Sequence, residues 1–187
     1  MSAGDWVFGY GSLVADHRPR PECPEGPLWA RLGGHRRTWN VAMANADPVN
    51  DPKHYVETAT GERPDIHVAY LNVRSSPRDD CIGALIPVDE SGLAAIDVRE
   101  VNYRRIEVGA AVEPRPPGRI WLYVGLDAAR ERFRRGSRAG TAVVAADYVG
   151  AVRRGFRAEP WTYREFLGST DRVSVPSRDL TVVRRNV

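Results

Sequence analysis

The chain has 187 residues, of which 42% are hydrophobic and 27% charged, with a formal net charge of +3. That length suits one domain, residues 1–187, with a real core, and the balance excludes a disordered, collagenous or membrane-spanning chain. Cys23 and Cys81 are too few for a disulfide framework, and Met1 to Asp5 lack the basic-then-apolar pattern of a secretory leader, so a cytoplasmic setting is expected.

Trp6 to Gly9 reads as the first strand. It leads into Val7-Phe8-Gly9-Tyr10-Gly11-Ser12-Leu13, where Gly9 and Gly11 are expected to take backbone angles that other residues resist. Such a turn can aim successive backbone N–H groups at a carboxylate or a carbonyl oxygen. Spacing alone favours a plain strand-to-loop turn with glycines for sterics, and no Walker loop or dinucleotide fingerprint follows. Residues 16–27, rich in proline and charge, read as loop. Trp29 to Ala44 holds a strand with Trp39, Val41 and Met43 on one side, and Arg36 and Arg37 precede it as a surface pair or as partners for a substrate carboxylate. Asn45 to Asp65 has little apolar periodicity and reads as a long loop bordering the site as a lid. It contains Lys53, the single lysine of the chain.

His67 to Val73 and Cys81 to Val88 are β-rich runs joined by a polar turn, which suggests a hairpin. Asp89, Glu90 and Ser91 open a helix running to about Glu100. Tyr103 to Val112 reads as a strand with Ile106, Val108, Ala110 and Val112 facing one way. A turn over residues 114–118 and a strand from Arg119 to Gly125 follow. Ala142 to Phe156 reads as a helix with Val144, Tyr148, Val152 and Phe156 on one face, and Pro160 opens a shorter helix ending near Gly168. The tail carries a β-like Leu180-Thr181-Val182-Val183. About six strands and three helices give an α+β class, most simply a curved sheet or small mixed β-barrel with flanking α-helices.

On a helical period Leu93, Ile96 and Glu100 share one stripe. A carboxylate aimed at a core is costly unless bonded, paired or neutral, and burial raises its pKa toward the range of a useful proton acceptor. An ion pair with Arg104 or Arg105 at a frayed helix end is the competing reading. Asp97 lies at the edge of the stripe, and Glu107 faces away from Ile106 and Val108.

Together these blocks resemble the gamma-glutamylcyclotransferase family. They are Phe8-Gly9-Tyr10-Gly11-Ser12-Leu13, then Gly83-Ala84-Leu85 leading through Leu93, Asp97 and Glu100 to Tyr103-Arg104-Arg105-Ile106-Glu107-Val108, with Tyr148 and Gly155 on a later helix. The resemblance implies a mixed barrel with a cavity, and an enzyme that cyclises a small gamma-glutamyl compound to 5-oxoproline with release of an amine or amino acid. It implies Glu100 as general acid/base, Tyr10, Gly11, Ser12 and Leu13 as the backbone that holds the glutamyl group, and Tyr103 and Tyr148 as substrate contacts or core tyrosines. It implies no metal and no organic cofactor. A small-molecule-binding domain on the same scaffold, without catalysis, is the alternative reading.

Other constellations carry less. His17, Cys23, His35 and Cys81 match no closed zinc spacing. Ser12 lacks a nucleophile elbow and an evident histidine partner. The densest basic run, Arg130 to Arg138, is interrupted by Glu131 and has no aromatic ladder. It reads as a solvated helix end and loop, with neither a nucleic-acid nor a membrane partner expected.

Overall fold

The computed structural model describes residues 4–16, 28–50 and 53–184. Its framework is a pair of long antiparallel strands, β2 (Leu28–Ala44) and β4 (His67–Val88), in register from Leu28 opposite Leu85 to Ala44 opposite His67. The expected hairpin between His67–Val73 and Cys81–Val88 does not form, because one strand runs through both. β2 pairs along both halves of it, so the polar stretch between them stays extended, and the mismatch is absorbed by bulges at Gly33/His35 and Trp39/Val41. Gly34 takes a φ of +70° in the first bulge, where a side chain would be strained.

β1 (Asp5–Gly9) adds antiparallel to the second half of β4 and parallel to β7 (Ile120–Gly125), and β7 carries β5 (Tyr103–Glu107) on its outer edge. The order β5-β7-β1-β4-β2-β6, where β6 is Val112–Glu113, with β8 (Ala142–Ala145) branching from β4 and β9 (Ser177–Arg178) pairing with β8, makes a mixed sheet that curls into a half-barrel. The strand expected over Tyr103–Val112 stops at Glu107. A single helical turn, Gly109–Ala111, then carries the chain across to β6 (Val112–Glu113) on β2, which leaves Ala110 exposed instead of facing inward.

The helices are α1 (Ser12–Asp16), α2 (Glu90–Arg99), α3 (Asp127–Arg138), α4 (Ala146–Phe156) and α5 (Pro160–Gly168). α2 starts as its sequence suggests, with the Asp89 carboxylate accepting from the Gly92 N–H at 2.7 Å. The basic run belongs to a full helix, α3, and not to a helix end and loop. Arg132 turns inward and donates to the Ala42 carbonyl at 2.9 Å and to Asn102 Oδ1 at 2.6 Å. Residues 142–145 form β8 before α4 begins, because Val143 and Val144 are buried beside the start of β4.

The main core fills the sheet's curl with Phe8, Leu32, Trp39, Leu71, Ile82, Leu85, Ile120 and Leu122 against Val152, Phe156 and Phe166. A smaller core, Val7, Leu13, Ile86, Leu93, Ile96 and Tyr123, seats α2. Leu93 and Ile96 are the two buried residues of that helix; each contributes about 1.5–3 kcal/mol by leaving water and so holds the end of α2 in place. A separate two-stranded ribbon pairs β3 (Lys53–Glu57) with β10 (Leu180–Arg184) and packs on a third cluster through Tyr55 and Leu180. The segment 45–65, expected to be loop throughout, therefore contains a strand. No helix among the described residues is long and apolar enough to cross a membrane.

Candidate active site

A cavity of about 370 Å³ opens between the end of α2, the start of α1, one face of α4 and the β3–β10 ribbon. A recess of about 30 Å³, roughly one water in size, adjoins it and is lined by Tyr10, Gly11, Ser12 and Leu13. Ser12, Glu100, Tyr103 and Tyr148 line both spaces. The glycine turn and the acid of the middle helix thus share one hollow.

Glu100 caps the C-terminus of α2. Its N–H donates to the Ile96 carbonyl at 2.9 Å, and its own carbonyl accepts from the Tyr103 N–H at 2.8 Å, so the side chain is aimed by two backbone bonds. That side chain is 16% exposed, and its partner is neither Arg104 nor Arg105 but Arg99, whose Nε lies 3.2 Å from Oε1. Burial raises the Glu100 pKa above the usual carboxylate range; the charges of Arg99 and Lys53 oppose this without cancelling it, and Asp16 adds to the rise. Arg99 also donates to Asp16 Oδ2 at 2.6 Å and to Ser12 Oγ at 3.0 Å, so it ties α1 to α2 at the cavity wall. The rival acids are engaged elsewhere. Asp97 accepts from the Tyr123 hydroxyl at 2.7 Å and from Arg105 at 2.8 Å, and Glu107 is exposed.

The glycines work differently from expectation. Neither Gly9 nor Gly11 has a positive φ. Gly9 is small because a neighbour comes close, whereas a side chain at Gly11 would meet ordinary contacts. A Cβ on Gly9 would stand 2.9 Å from Ile86 Cδ1, and one on Gly11 would stand 3.4 Å from the Tyr148 hydroxyl. Leu13 is buried and belongs to the core under α2 as well as to the recess wall.

The tyrosines are core and cavity residues at once. The Tyr10 hydroxyl donates to the Tyr123 carbonyl at 2.6 Å and so is already engaged. Tyr103 donates to the Leu71 carbonyl at 2.7 Å, and the Tyr148 hydroxyl accepts from the Leu71 N–H at 3.4 Å. The two phenols thereby satisfy a peptide of β4 that has no strand beside it on that side, and Tyr148 packs edge-on against Tyr70 with centroids 5.2 Å apart.

Sequence reasoning missed Arg99, Lys53, Tyr70, Arg154 and Arg184, all on the cavity wall. One signal was present: Lys53 is the only lysine in an arginine-rich chain. Arg36 and Arg37 lie within β2, and neither reaches the cavity. Arg36 pairs with Asp171 at 2.7 Å and Asp79 at 3.1 Å, whereas Arg37 is fully buried. Ser12 Oγ is held by an arginine, while the His35 ring donates to the Gly33 carbonyl at 2.8 Å. His17 and Cys23 lie outside the described residues, and among the described residues no three His, Cys, Asp or Glu side chains gather to hold a metal.

A curled half-barrel sheet of this order with its helices is the fold of the gamma-glutamylcyclotransferase-like proteins. One solved structure, a gamma-glutamyl cyclotransferase, aligns over 90% of this chain and 89% of its own with a TM-score of 0.52 at 16% identity. An uncharacterized protein from Homo sapiens aligns over 96% of this chain and 94% of its own with a TM-score of 0.55 at 15% identity. These likenesses establish the fold that the sequence motifs suggested. No family model matches the sequence, and no curated protein matches it.

Proposed function

We propose that the protein is a cyclotransferase that converts a gamma-glutamyl compound into 5-oxoproline and a free amine or amino acid. The observation that carries this reading is the shared hollow: a half-enclosed carboxylate with a raised pKa beside the backbone of the Gly9–Leu13 turn. The substrate brings its own nucleophile and electrophile, so the protein must fold the glutamyl chain back on itself and move two protons from the α-nitrogen to the leaving nitrogen. Glu100 takes the first proton from the substrate ammonium. The freed α-amine attacks the γ-carbonyl carbon, closing a five-membered ring and leaving an oxyanion and a positively charged ring nitrogen. As the oxyanion collapses, the bond to the leaving nitrogen breaks, and Glu100 gives its proton to that nitrogen. Glu100 then takes the second proton from the ring nitrogen and passes it to the released amine, which departs as an ammonium ion and leaves Glu100 a carboxylate again. The backbone of Tyr10, Gly11, Ser12 and Leu13 holds the glutamyl carboxylate or the developing oxyanion, and Tyr103 and Tyr148 shape the wall against the glutamyl chain. The chemistry requires no metal or organic cofactor.

The test is incubation with a panel of gamma-glutamyl peptides and amides, with 5-oxoproline followed by mass spectrometry. Glu100→Gln is expected to keep the fold and to lower product formation by about a hundredfold or more. Undiminished turnover in that variant removes Glu100 from the chemistry. Tight binding of gamma-glutamyl compounds with no product from the wild-type chain would mark a binding domain instead.

A further inference from the structure

The cavity wall carries two sets of charge. In one, Arg99 serves both Asp16 and Glu100. In the other, Lys53 on β3, Arg184 on β10 and Arg154 on α4 line the same wall with Asp147 as the acid among them, and the Glu100 charge also acts on Lys53. No carboxylate forms an ion pair with Lys53, Arg154 or Arg184 among the described residues, and Glu100 is already paired with Arg99, so this set holds a surplus of positive charge.

The ribbon makes that surplus deliberate in structural terms. Lys53 and Arg184 stand directly opposite each other in the β3–β10 register, a like-charge cross-strand pair of the kind that costs stability. Among the described residues the ribbon has no other strand to absorb the cost. Lys53 is also removed from water: its Nζ sits 5.2 Å from the centre of the Tyr70 ring. Burial first, then the charge of Arg184, brings its pKa down to about 8. A chain that uses arginine almost everywhere has put its one lysine here. An anion bound between the two strands would relieve the repulsion and replace the missing counter-charge.

We propose that Lys53, Arg184 and Arg154 are specificity-determining residues that hold the leaving portion of the substrate, and that this portion carries two negative charges. The proposal rests on the cyclotransferase reading, which puts the glutamyl group at Glu100 and the glycine turn and so turns the leaving amine toward the ribbon. Two ionised groups match the excess of three cations over Asp147. They can come from a dicarboxylic amino acid or from the phosphate of a phosphorylated amine.

The experiment compares kcat/KM for gamma-glutamyl-aspartate, gamma-glutamyl-phosphoethanolamine, gamma-glutamyl-alanine and gamma-glutamyl-propylamide in the wild-type chain, Lys53→Met and Arg184→Met. One or both dianionic compounds are expected to exceed the propylamide by a hundredfold or so and the alanine compound by about tenfold, the scale of one charge-assisted contact per step. The better of the two dianions identifies the source of the charge. Each variant is expected to cut the ratio of dianionic to neutral turnover by about tenfold, mainly through KM. A purely structural loss would lower all substrates together and leave that ratio unmoved, which would overturn the proposal. Equal turnover of all four compounds also overturns it while leaving the cyclotransferase reading intact. Absence of 5-oxoproline from every compound overturns both.

Discussion

At the scale of single residues, the site turns on how a carboxylate can be half enclosed and still useful. Glu100 sits where α2 ends, so its backbone is fixed by helix and turn while its side chain projects past the apolar seat made by Leu93 and Ile96. The helical period made that position legible in the sequence, since three residues on one stripe with an acid as the third is visible without coordinates. The identity of its partner was not legible, because Arg99 reaches Glu100, Ser12 and Asp16 only once α1 lies against the end of α2. Arg99 is the strongest influence favouring the charged form of Glu100. In Arg99→Gln the carboxylate loses that support, its pKa rises further, and more base is protonated at any given acid pH. The acid limb of kcat/KM for 5-oxoproline formation, which reports the free enzyme's base, should therefore move to higher pH. A limb that stays in place or moves down would mean that another group titrates there.

At the scale of elements, the β2–β4 pair is fastened to α5 by a residue that the sequence made look superficial. Arg36 and Arg37 read as two surface charges, but neighbouring residues on a strand point to opposite faces. Arg36 keeps its surface pairs, whereas Arg37 is buried between the Phe156 and Phe166 rings, 4.8 Å from each centre. It donates to the carbonyl of Ile82 on β4, to Ser169 Oγ at 3.2 Å and to Thr170 Oγ1 at 2.7 Å. It has no carboxylate partner among the described residues, and burial depresses its pKa. Removing a desolvated charge gains something, but Arg37→Met leaves several buried acceptors without a donor, each costing about 1–3 kcal/mol, so a net loss of about 2–4 kcal/mol is expected. The check is a lower urea midpoint at unchanged slope, with the cavity residues untouched. Equal stability would show that the aromatic packing alone holds α5. The same physics explains which elements the sequence hid. α3 covers the sheet through a thin stripe, Ala129, Phe133 and Gly136, with a Gly136 Cβ position only 2.6 Å from His67 Cβ, so the apolar signal is one large side chain among arginines. The run Ala142 to Ala145 is apolar throughout, and periodicity cannot tell such a strand from the start of a helix; its pairing with β4 decides.

At the scale of the whole molecule, the cavity is assembled from distant parts of the chain: the first turn, the end of the middle helix, α4, and a ribbon made of a mid-chain strand and the C-terminal one. The inner half of that assembly could be read from motifs because each piece is local. The outer half could not, because Lys53 and Arg184 become neighbours only when β3 finds β10, and nothing in the polar segment 45–65 announces a strand. The ribbon is also the wall with the least support. Among the described residues its two strands pair with each other and with no strand of the larger sheet, and two-stranded ribbons are marginal on their own. Tyr55 and Leu180 anchor it, while Val182 is 40% exposed. Local opening of such a unit costs less than opening the β2–β4 pair, whose core residues are among the most buried in the molecule. Hydrogen exchange should therefore find the amides of residues 53–57 and 180–184 exchanging well ahead of those in β2 and β4. Saturating the inactive Glu100→Gln chain with gamma-glutamyl-aspartate should slow exchange in the ribbon selectively, since a ligand that bridges Lys53 and Arg184 removes the repulsion that loosens it. Ribbon amides as protected as the central strands would mean that the wall is rigid and that the substrate must enter by another side.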